Sequence, residues 1–89
     1  MKQITIDCRS IATREDFHNA LAGGLEFPQW YGKNLDALHD LLTAISEETF
    51  LIFSEWLYTE AVLGRYALMA KKAMTHAASG NPHLNIEFL

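Results

Sequence analysis

The segment TFLIF, residues 49–53, limits the possible folds of this chain more than any other feature. Its nearly continuous run of apolar residues is typical of a strand that is covered on both faces in the middle of a parallel sheet. Parallel neighbours need long crossover connections, which are usually helices. The segment therefore predicts an α/β fold with this strand at the centre of the sheet.

Two segments with alternating residues supply the outer strands. Gln3–Asp7 (QITID) and the segment around Leu84, Ile86 and Phe88 alternate apolar with polar side chains. That period of two is typical of half-buried strands. With right-handed crossovers, the order of elements predicts a three-stranded parallel β-sheet, with the middle strand in sequence at the centre, packed against three to four helices.

The first helix is predicted between Thr13 and Ala22. Thr13 stands three residues before Asp16, which is the spacing of a capping box at a helix N-terminus. Gly23 and Gly24 follow the apolar stripe, and glycine commonly occurs just beyond the end of a helix. We therefore expect these two glycines to stop the helix.

The second helix is predicted from Asn34, a favourable N-cap residue, to about Ile45. Its apolar residues recur at helical spacing and predict a face toward the core. That face comprises Leu35, Leu38, Leu42 and Ile45. The opposite side carries Asp36, Asp40, Thr43 and, if the helix extends far enough, Glu47. These acids are expected to point to solvent or to a binding partner.

The rest of the chain is predicted to contain one or two further helices. Glu55–Leu63 could form a short helix that ends near Gly64, and a longer helix is expected to close at Gly-Asn-Pro, residues 80–82. The apolar stripe of this part comprises Val62, Tyr66, Met69, Ala70, Ala73 and Ala77. Met69 and Met74 are expected to fill the core rather than to contact a partner.

A chain of 89 residues has room for a single core, so residues 1–89 are predicted to form one domain. Cys8 is the only cysteine, which excludes an intrachain disulfide and a thiolate metal cage, and a buried thiol is expected there. The sequence shows neither a signal-peptide pattern at its start nor an apolar run long enough to span a membrane. These features predict a cytoplasmic protein without a membrane partner.

Acidic residues are unevenly distributed along the chain. Residues 34–64 contain six acids and no lysine or arginine, whereas the remainder carries five acids and seven basic residues. A segment of one charge sign attracts a basic partner and repels nucleic acid. Direct binding of RNA or DNA is therefore not expected. The alternative interpretation of the charge is a solvated acidic face that aids solubility.

Asp36, His39 and Asp40 are the candidates for enzyme chemistry, because they could offer two oxygens and a nitrogen to a divalent metal. A complete site would need further ligands, and the other histidines show no matching spacing. The sequence also lacks a glycine-rich phosphate loop and a nucleophile elbow. The prediction is a protein with no catalytic residues, no metal and no cofactor.

The segment FPQWYG, residues 27–32, concentrates aromatic side chains in a predicted loop. Phe27 is expected to fold back over the edge of the sheet, and Tyr31 could do the same. Trp30 is better explained as part of a protein-binding hot spot, where aromatic rings pack and nearby charges steer. Gly32 would allow a tight turn into the second helix and close approach of a partner.

The segment WYGKNLDALHDLLT, residues 30–43, resembles the signature segment of the barstar family, intracellular inhibitors of the secreted ribonuclease barnase. The length, acidity and order of elements of the whole chain are similar to that family as well. The resemblance implies a single barstar-like domain that inhibits a basic, barnase-like ribonuclease as a one-to-one heterodimer. Its acidic helix and preceding aromatic loop would plug the cleft of the enzyme.

The resemblance also implies roles for individual residues. Asp40 matches the acid that enters the nuclease active site in place of a substrate phosphate, Asp36 matches a second acid, and Trp30 matches an aromatic that stacks on the enzyme. The predicted partner-binding residues are Trp30, Tyr31, Gly32, Asn34, Asp36, His39, Asp40, Thr43 and Glu47.

The chain departs from the family pattern at several contact positions. His39 replaces a tryptophan, Ala44 and Ile45 replace a glycine and a second tryptophan, and a late acid has Lys72 and Thr75 as its nearest candidates. Two further interpretations therefore remain open. The chain could be an immunity protein for a different nuclease toxin, or a barstar-like domain that binds a basic partner other than a nuclease.

Overall fold

Three parallel strands form one open sheet in chain order, β1 (Lys2–Asp7), β2 (Thr49–Ser54) and β3 (Leu84–Phe88). The computed structural model describes residues 1–89. Leu51 of the central strand pairs with Ile4 on one side and with Ile86 on the other. The four α-helices are α1 (Arg14–Leu25), α2 (Leu35–Thr43), α3 (Trp56–Leu63) and α4 (Arg65–Ser79), and a short 3₁₀ helix spans Cys8–Ser10. The predicted α/β fold class, sheet order and helix count are confirmed.

The helices pack against one face of the sheet only. Leu51 and Phe53 of β2 are fully buried on that face, whereas Phe50 and Ile52 on the other face are half-buried. The latter two are flanked by polar neighbours on the outer strands, Gln3, Thr5, Asn85 and Glu87. The expectation that β2 is covered on both faces was therefore wrong. Two right-handed crossovers between adjacent strands place all helices on the same side.

Helix α1 begins with the predicted capping box but does not stop at the glycines. Thr13 Oγ1 accepts a hydrogen bond from the Asp16 N–H at 3.0 Å, and Asp16 Oδ2 accepts from the Thr13 N–H at 3.2 Å. The helix continues through Gly24 to Leu25, and Glu26 closes it in the left-handed conformation, with φ at 58°. A Cβ on Gly24 would lie 2.8 Å from Ile4 Cγ2, so glycine there allows close helix–strand packing.

Helix α2 ends at Thr43, two residues earlier than predicted, and Asn81 holds the chain at this end. The buried Asn81 side chain donates hydrogen bonds from Nδ2 to the carbonyl oxygens of Leu42 and Ile45, both at 2.9 Å. Its Oδ1 accepts from the His83 N–H at 2.9 Å. One side chain thus satisfies carbonyl groups at the end of α2 and ties them to the start of β3.

Replacement of Asn81 by alanine should therefore destabilise the protein by about 1–3 kcal/mol, because three hydrogen bonds of a buried side chain are lost. Urea denaturation of the variant measures the loss. Asn85→Ala is a matched control, since Asn85 is exposed on the open face of the sheet and such changes usually stay within about 0.5 kcal/mol. Equal midpoints for the two variants would contradict the proposed importance of these bonds.

The two C-terminal helices depart from the predicted apolar stripe. Ala70, Met74 and Ala77 are buried as expected, but Met69 is 50% exposed and Val62, which belongs to α3, is also exposed. Cys8 is buried as predicted, and burial raises the pKa of its thiol. None of the helices combines the length and apolar character that a membrane crossing requires.

Candidate protein-binding surface

The exposed side of α2 presents two carboxylates to solvent. Asp36 lies in the first turn of the helix and Asp40 one turn later, so both project from the side opposite the buried Leu38 and Leu42. The Asp40 side chain is 85% exposed, and the nearest basic atom is His39 Nδ1 at 4.0 Å from Oδ1. We call Asp36, Asp40 and the exposed Thr43 the acidic face. It holds two negative charges that no protein cation neutralises by direct contact.

The start of α2 is fixed by Asn34, as the sequence predicts. Asn34 Oδ1 accepts a hydrogen bond from the Ala37 N–H at 2.8 Å, and its Nδ2 donates to the Gly32 carbonyl oxygen at 3.3 Å. The residue with left-handed backbone is Lys33, with φ at 52°, rather than Gly32. A Cβ on Gly32 would lie 3.1 Å from Asn34 Nδ2. Gly32 therefore makes room for the capping side chain of Asn34. This corrects the expectation that the tight turn into α2 depends on the backbone freedom of Gly32.

The aromatic loop, residues 27–33, turns its rings in two directions. Trp30 is 76% exposed, whereas Tyr31 is buried. Phe27 is half-buried, and its ring lies 4.9 Å from that of Tyr31. The Tyr31 N–H donates to the Pro28 carbonyl oxygen at 3.0 Å, which closes the turn that carries Trp30. Trp30 is thus presented to solvent by a loop that is anchored through Phe27 and Tyr31, and Tyr31 itself has little surface to offer a partner.

A buried histidine holds this loop to the helices. His18 of α1 is 1% exposed, and both of its ring nitrogens form hydrogen bonds. Nδ1 lies 2.6 Å from the Tyr31 hydroxyl oxygen, and Nε2 lies 2.6 Å from the Tyr66 hydroxyl oxygen on α4. We call these three side chains the His18 relay. It links α1, the aromatic loop and α4, and no local sequence pattern indicates it, because its members are 13 and 48 residues apart.

Burial sets the protonation states in the His18 relay. It lowers the pKa of His18, and the positive charge of Lys33 lowers it further. It also raises the pKa of Tyr31 and of Tyr66, although the Arg14 guanidinium over the Tyr66 ring opposes the second shift. A neutral imidazole has one donor and one acceptor. One tyrosine hydroxyl therefore donates to His18 while the other accepts from it.

A groove between α2 and α4 borders the acidic face. It encloses about 510 Å³ and is lined by Leu35, Asp36, His39, Met69, Lys72, Ala73 and His76. His39 Nε2 lies 2.9 Å from His76 Nδ1, so the two imidazoles join the helices across the groove. The sequence gave Lys72 and Thr75 on α4 as the nearest candidates for the position of a late family acid and did not indicate His76. The helical spacing of Met69, Lys72, Ala73 and His76 is the signal that places His76 on this side.

The structure brings most of the predicted binding residues to one side of the molecule, with Glu47 as the exception. Asn34, Asp36, His39, Asp40 and Thr43 belong to α2 or its cap, and the aromatic loop leads directly into them. Glu47 lies beyond the end of α2, in the connection to β2, where it lines a depression with Lys2 and Glu26. The helix is too short to carry it on the acidic face.

The arrangement suits recognition by surface contact. No group of three or more histidine, cysteine, aspartate or glutamate side chains lies close enough together to hold a metal ion. The features that stand out are an exposed tryptophan, two unpaired carboxylates and a rigidly capped helix, and aromatic anchors beside charges are typical of protein interfaces.

Comparison with known proteins agrees with this geometry. The family model described as "Barstar (barnase inhibitor)" matches residues 1–81 of the chain. A relative from Bacillus subtilis (strain 168), named "Putative ribonuclease inhibitor YrdF", is 38% identical over 68 residues, which cover 75% of this chain and 75% of that protein. The family match spans β1, β2, the aromatic loop and all four α-helices.

Proposed function

This chain belongs to the barstar family of barnase inhibitors, and we propose that it blocks the active site of a basic ribonuclease with the acidic face and the aromatic loop. The observation that carries this proposal is the pairing of exposed Trp30 with the exposed carboxylates of Asp36 and Asp40. A cleft that binds RNA is lined by cations, and these carboxylates would meet them in place of the substrate.

Inhibition in this proposal requires no chemistry by the inhibitor. The Asp40 carboxylate takes the place of a substrate phosphate among arginine, lysine or histidine side chains of the enzyme, and charge-assisted hydrogen bonds hold it there. Trp30 packs on the surface beside the cleft, and Asp36 contributes a second charge. The inserted helix then excludes RNA by occupying its space. The target is a barnase-type enzyme or another basic nuclease toxin.

Titration of the nuclease with this protein tests the proposal. Activity on RNA should fall linearly with added inhibitor and reach its endpoint at a molar ratio near one to one, because one helix fills one cleft. Barnase and any basic nuclease encoded beside this protein are the enzymes to titrate. Undiminished activity of each of them at a large excess of inhibitor would contradict the proposal and favour a basic partner that is not a nuclease.

Association with the nuclease should be steered by charge. Residues 34–64 contain no lysine or arginine, and complementary potentials raise association rates by about 10- to 1,000-fold at low salt. Barnase with barstar is itself a reference case for such steering. The expected increase in association rate is therefore taken from the known behaviour of the family and is not calculated for this chain. Stopped-flow association rates should fall at least about tenfold from low to high salt, while dissociation changes much less. A salt-independent association rate would contradict steering.

A further inference from the structure

The contact between His39 and His76 has the geometry of two metal-ligand nitrogens facing each other. The ring centroids are 5.1 Å apart and the ring planes differ by 26°. The facing nitrogens, His39 Nε2 and His76 Nδ1, are only 2.9 Å apart, so the rings meet edge to edge rather than face to face. A hydrogen bond in which one imidazole donates and the other accepts explains this arrangement. The same two nitrogen atoms can instead act as metal ligands.

We propose that His39 and His76 bind a divalent transition metal ion of the zinc class between α2 and α4. Two Zn–N bonds of about 2.0–2.1 Å at a tetrahedral angle separate the nitrogens by about 3.3 Å. The pair must therefore open from 2.9 Å by a few tenths of an ångström. Both side chains lie at the surface of the groove, His76 exposed and His39 half-buried, so torsions about their side-chain bonds supply this movement.

Protonation of the rings is compatible with the metal. Metal-ligating imidazoles are neutral and carry their proton on the nitrogen that faces away from the ion. For His39 that nitrogen is Nδ1, which lies 4.0 Å from Asp40 Oδ1. A small rotation would give the carboxylate–histidine–metal arrangement that orients many ligands. For His76, which would bind through Nδ1, the nitrogen that carries the proton is Nε2. The ring that donates in the metal-free pair changes tautomer, and no net proton is lost from two neutral rings.

Among the charged groups around the proposed site, two carboxylates favour a bound cation and one lysine opposes it. The Asp36 side chain lines the same groove one helical turn before His39, and Asp40 lies beside His39. Both carboxylates add negative potential, but neither joins the two histidines in a group of three ligands. Lys72 also lines the groove and opposes the charge of the ion. Two protein nitrogens hold the metal and water completes its coordination. The groove opens to solvent, and imidazole ligands suit zinc, copper and nickel rather than magnesium.

Calorimetric titration of the free protein with Zn²⁺ tests the site. The wild-type protein should bind one ion, and His39→Gln and His76→Gln should each weaken that binding at least about tenfold, since loss of even an outer partner of a metal site costs about 10–100-fold. His83→Gln is the matched control, because His83 is another exposed histidine, whose Nδ1 lies 2.9 Å from Glu48 Oε1. It should bind Zn²⁺ like the wild type, and Mg²⁺ should give no comparable binding.

Several results would overturn the metal site. Zn²⁺ binding that is absent from the wild-type protein, that persists in both His39→Gln and His76→Gln, or that is lost in His83→Gln would each do so. Urea unfolding curves measured without metal show whether each variant is folded, so that a change in Zn²⁺ affinity can be assigned to the lost imidazole. All three substitutions replace histidines that are exposed or half-buried, so the variants should unfold at nearly the same urea concentration as the wild type.

Occupancy of this site would also affect partner binding, a consequence that rests on the proposed function. A bound divalent cation beside Asp36 and Asp40 weakens the negative potential that draws in a basic nuclease. Stopped-flow association with the nuclease should slow when Zn²⁺ is added to the wild-type protein and stay unchanged with His76→Gln. Equal slowing of both proteins would contradict this link. Calorimetry on the free protein still decides the metal site if no nuclease binds.

Discussion

Asp40→Ala should weaken binding to the target nuclease by at least about 2 kcal/mol, roughly thirtyfold in the dissociation constant. The Asp40 carboxylate is 85% exposed in the free protein, and in the complex it would be desolvated among cations that lose their partner when it is removed. A solvated surface acid without a partner would cost no more than about 0.5 kcal/mol. Titration calorimetry, or inhibition measured over a range of inhibitor concentrations, distinguishes the two outcomes.

The same substitution should make the free protein more stable by about 0.5–1 kcal/mol, mainly because alanine is the best helix former. Asp36 and Asp40 also repel each other across one helical turn, and Asp40 lies in the second half of α2 (Leu35–Thr43), near the negative end of the helix dipole. The Asp40 side chain makes no hydrogen bond within the protein, and its backbone carbonyl oxygen, which accepts from Thr43 Oγ1 at 2.9 Å, is kept by alanine.

Opposite changes in binding and stability are the distinctive part of this prediction. Because barnase and barstar are themselves a reference case for charged hot spots, a large binding loss mainly supports family membership, while the gain in stability is an independent test. Glu87→Ala is a control with the same change in charge, located on the open face of the sheet. If Asp40→Ala destabilises the free protein and leaves inhibition intact, the aspartate has a structural role instead.

Sequence patterns predicted those parts of the fold that depend on neighbours along the chain. Alternation and apolar runs located all three strands, and local capping rules identified Thr13 and Asn34 at the starts of α1 and α2. The errors occurred where distant segments decide. Gly24 lies within α1 and, without a side chain, lets the helix pack closely on Ile4 of β1. Phe50 is half-buried because all helices pack against the other face of the sheet.

The candidate surface was predicted to a similar extent. The motif of residues 30–43 identified the acidic face and Trp30, because these residues share one loop and one helix. The sequence assigned Trp30 to the binding surface but left open whether Tyr31 folds back, since the direction of its ring depends on whether the core offers it a partner. His18 supplies that partner to Tyr31. His76 was missed for a related reason, because its neighbour His39 lies 37 residues earlier.

Loss of the buried imidazole should be among the most damaging substitutions in the chain, and we expect His18→Ala to destabilise the protein by about 2–4 kcal/mol. The substitution leaves a cavity beside Phe17, whose ring centroid is 5.2 Å from that of His18. It also deprives the buried Tyr31 hydroxyl of its hydrogen-bond partner, which adds a desolvation cost. Tyr58→Ala, at an exposed position on α3, is the control and should cost much less.

The contribution of His18 to stability should also depend on pH with a defined sign. The folded state lowers the pKa of His18 through burial and the charge of Lys33, whereas in the unfolded chain a histidine titrates near about 6.5. Protons therefore bind the unfolded state more readily, so the stabilisation is complete above pH of about 6.5 and decreases as the pH falls toward the folded pKa.

Urea denaturation of wild type and His18→Ala at several pH values on both sides of pH of about 6.5 measures this pH dependence. The difference in unfolding free energy between the two proteins removes the contribution of the other histidines. The difference in unfolding free energy should shrink as the pH falls, because the protonated imidazole donates from both nitrogens and leaves a tyrosine hydroxyl proton without its acceptor. A difference that stays constant or grows toward acid pH would mean that His18 is not held neutral, and that the relay anchors the aromatic loop in another protonation state.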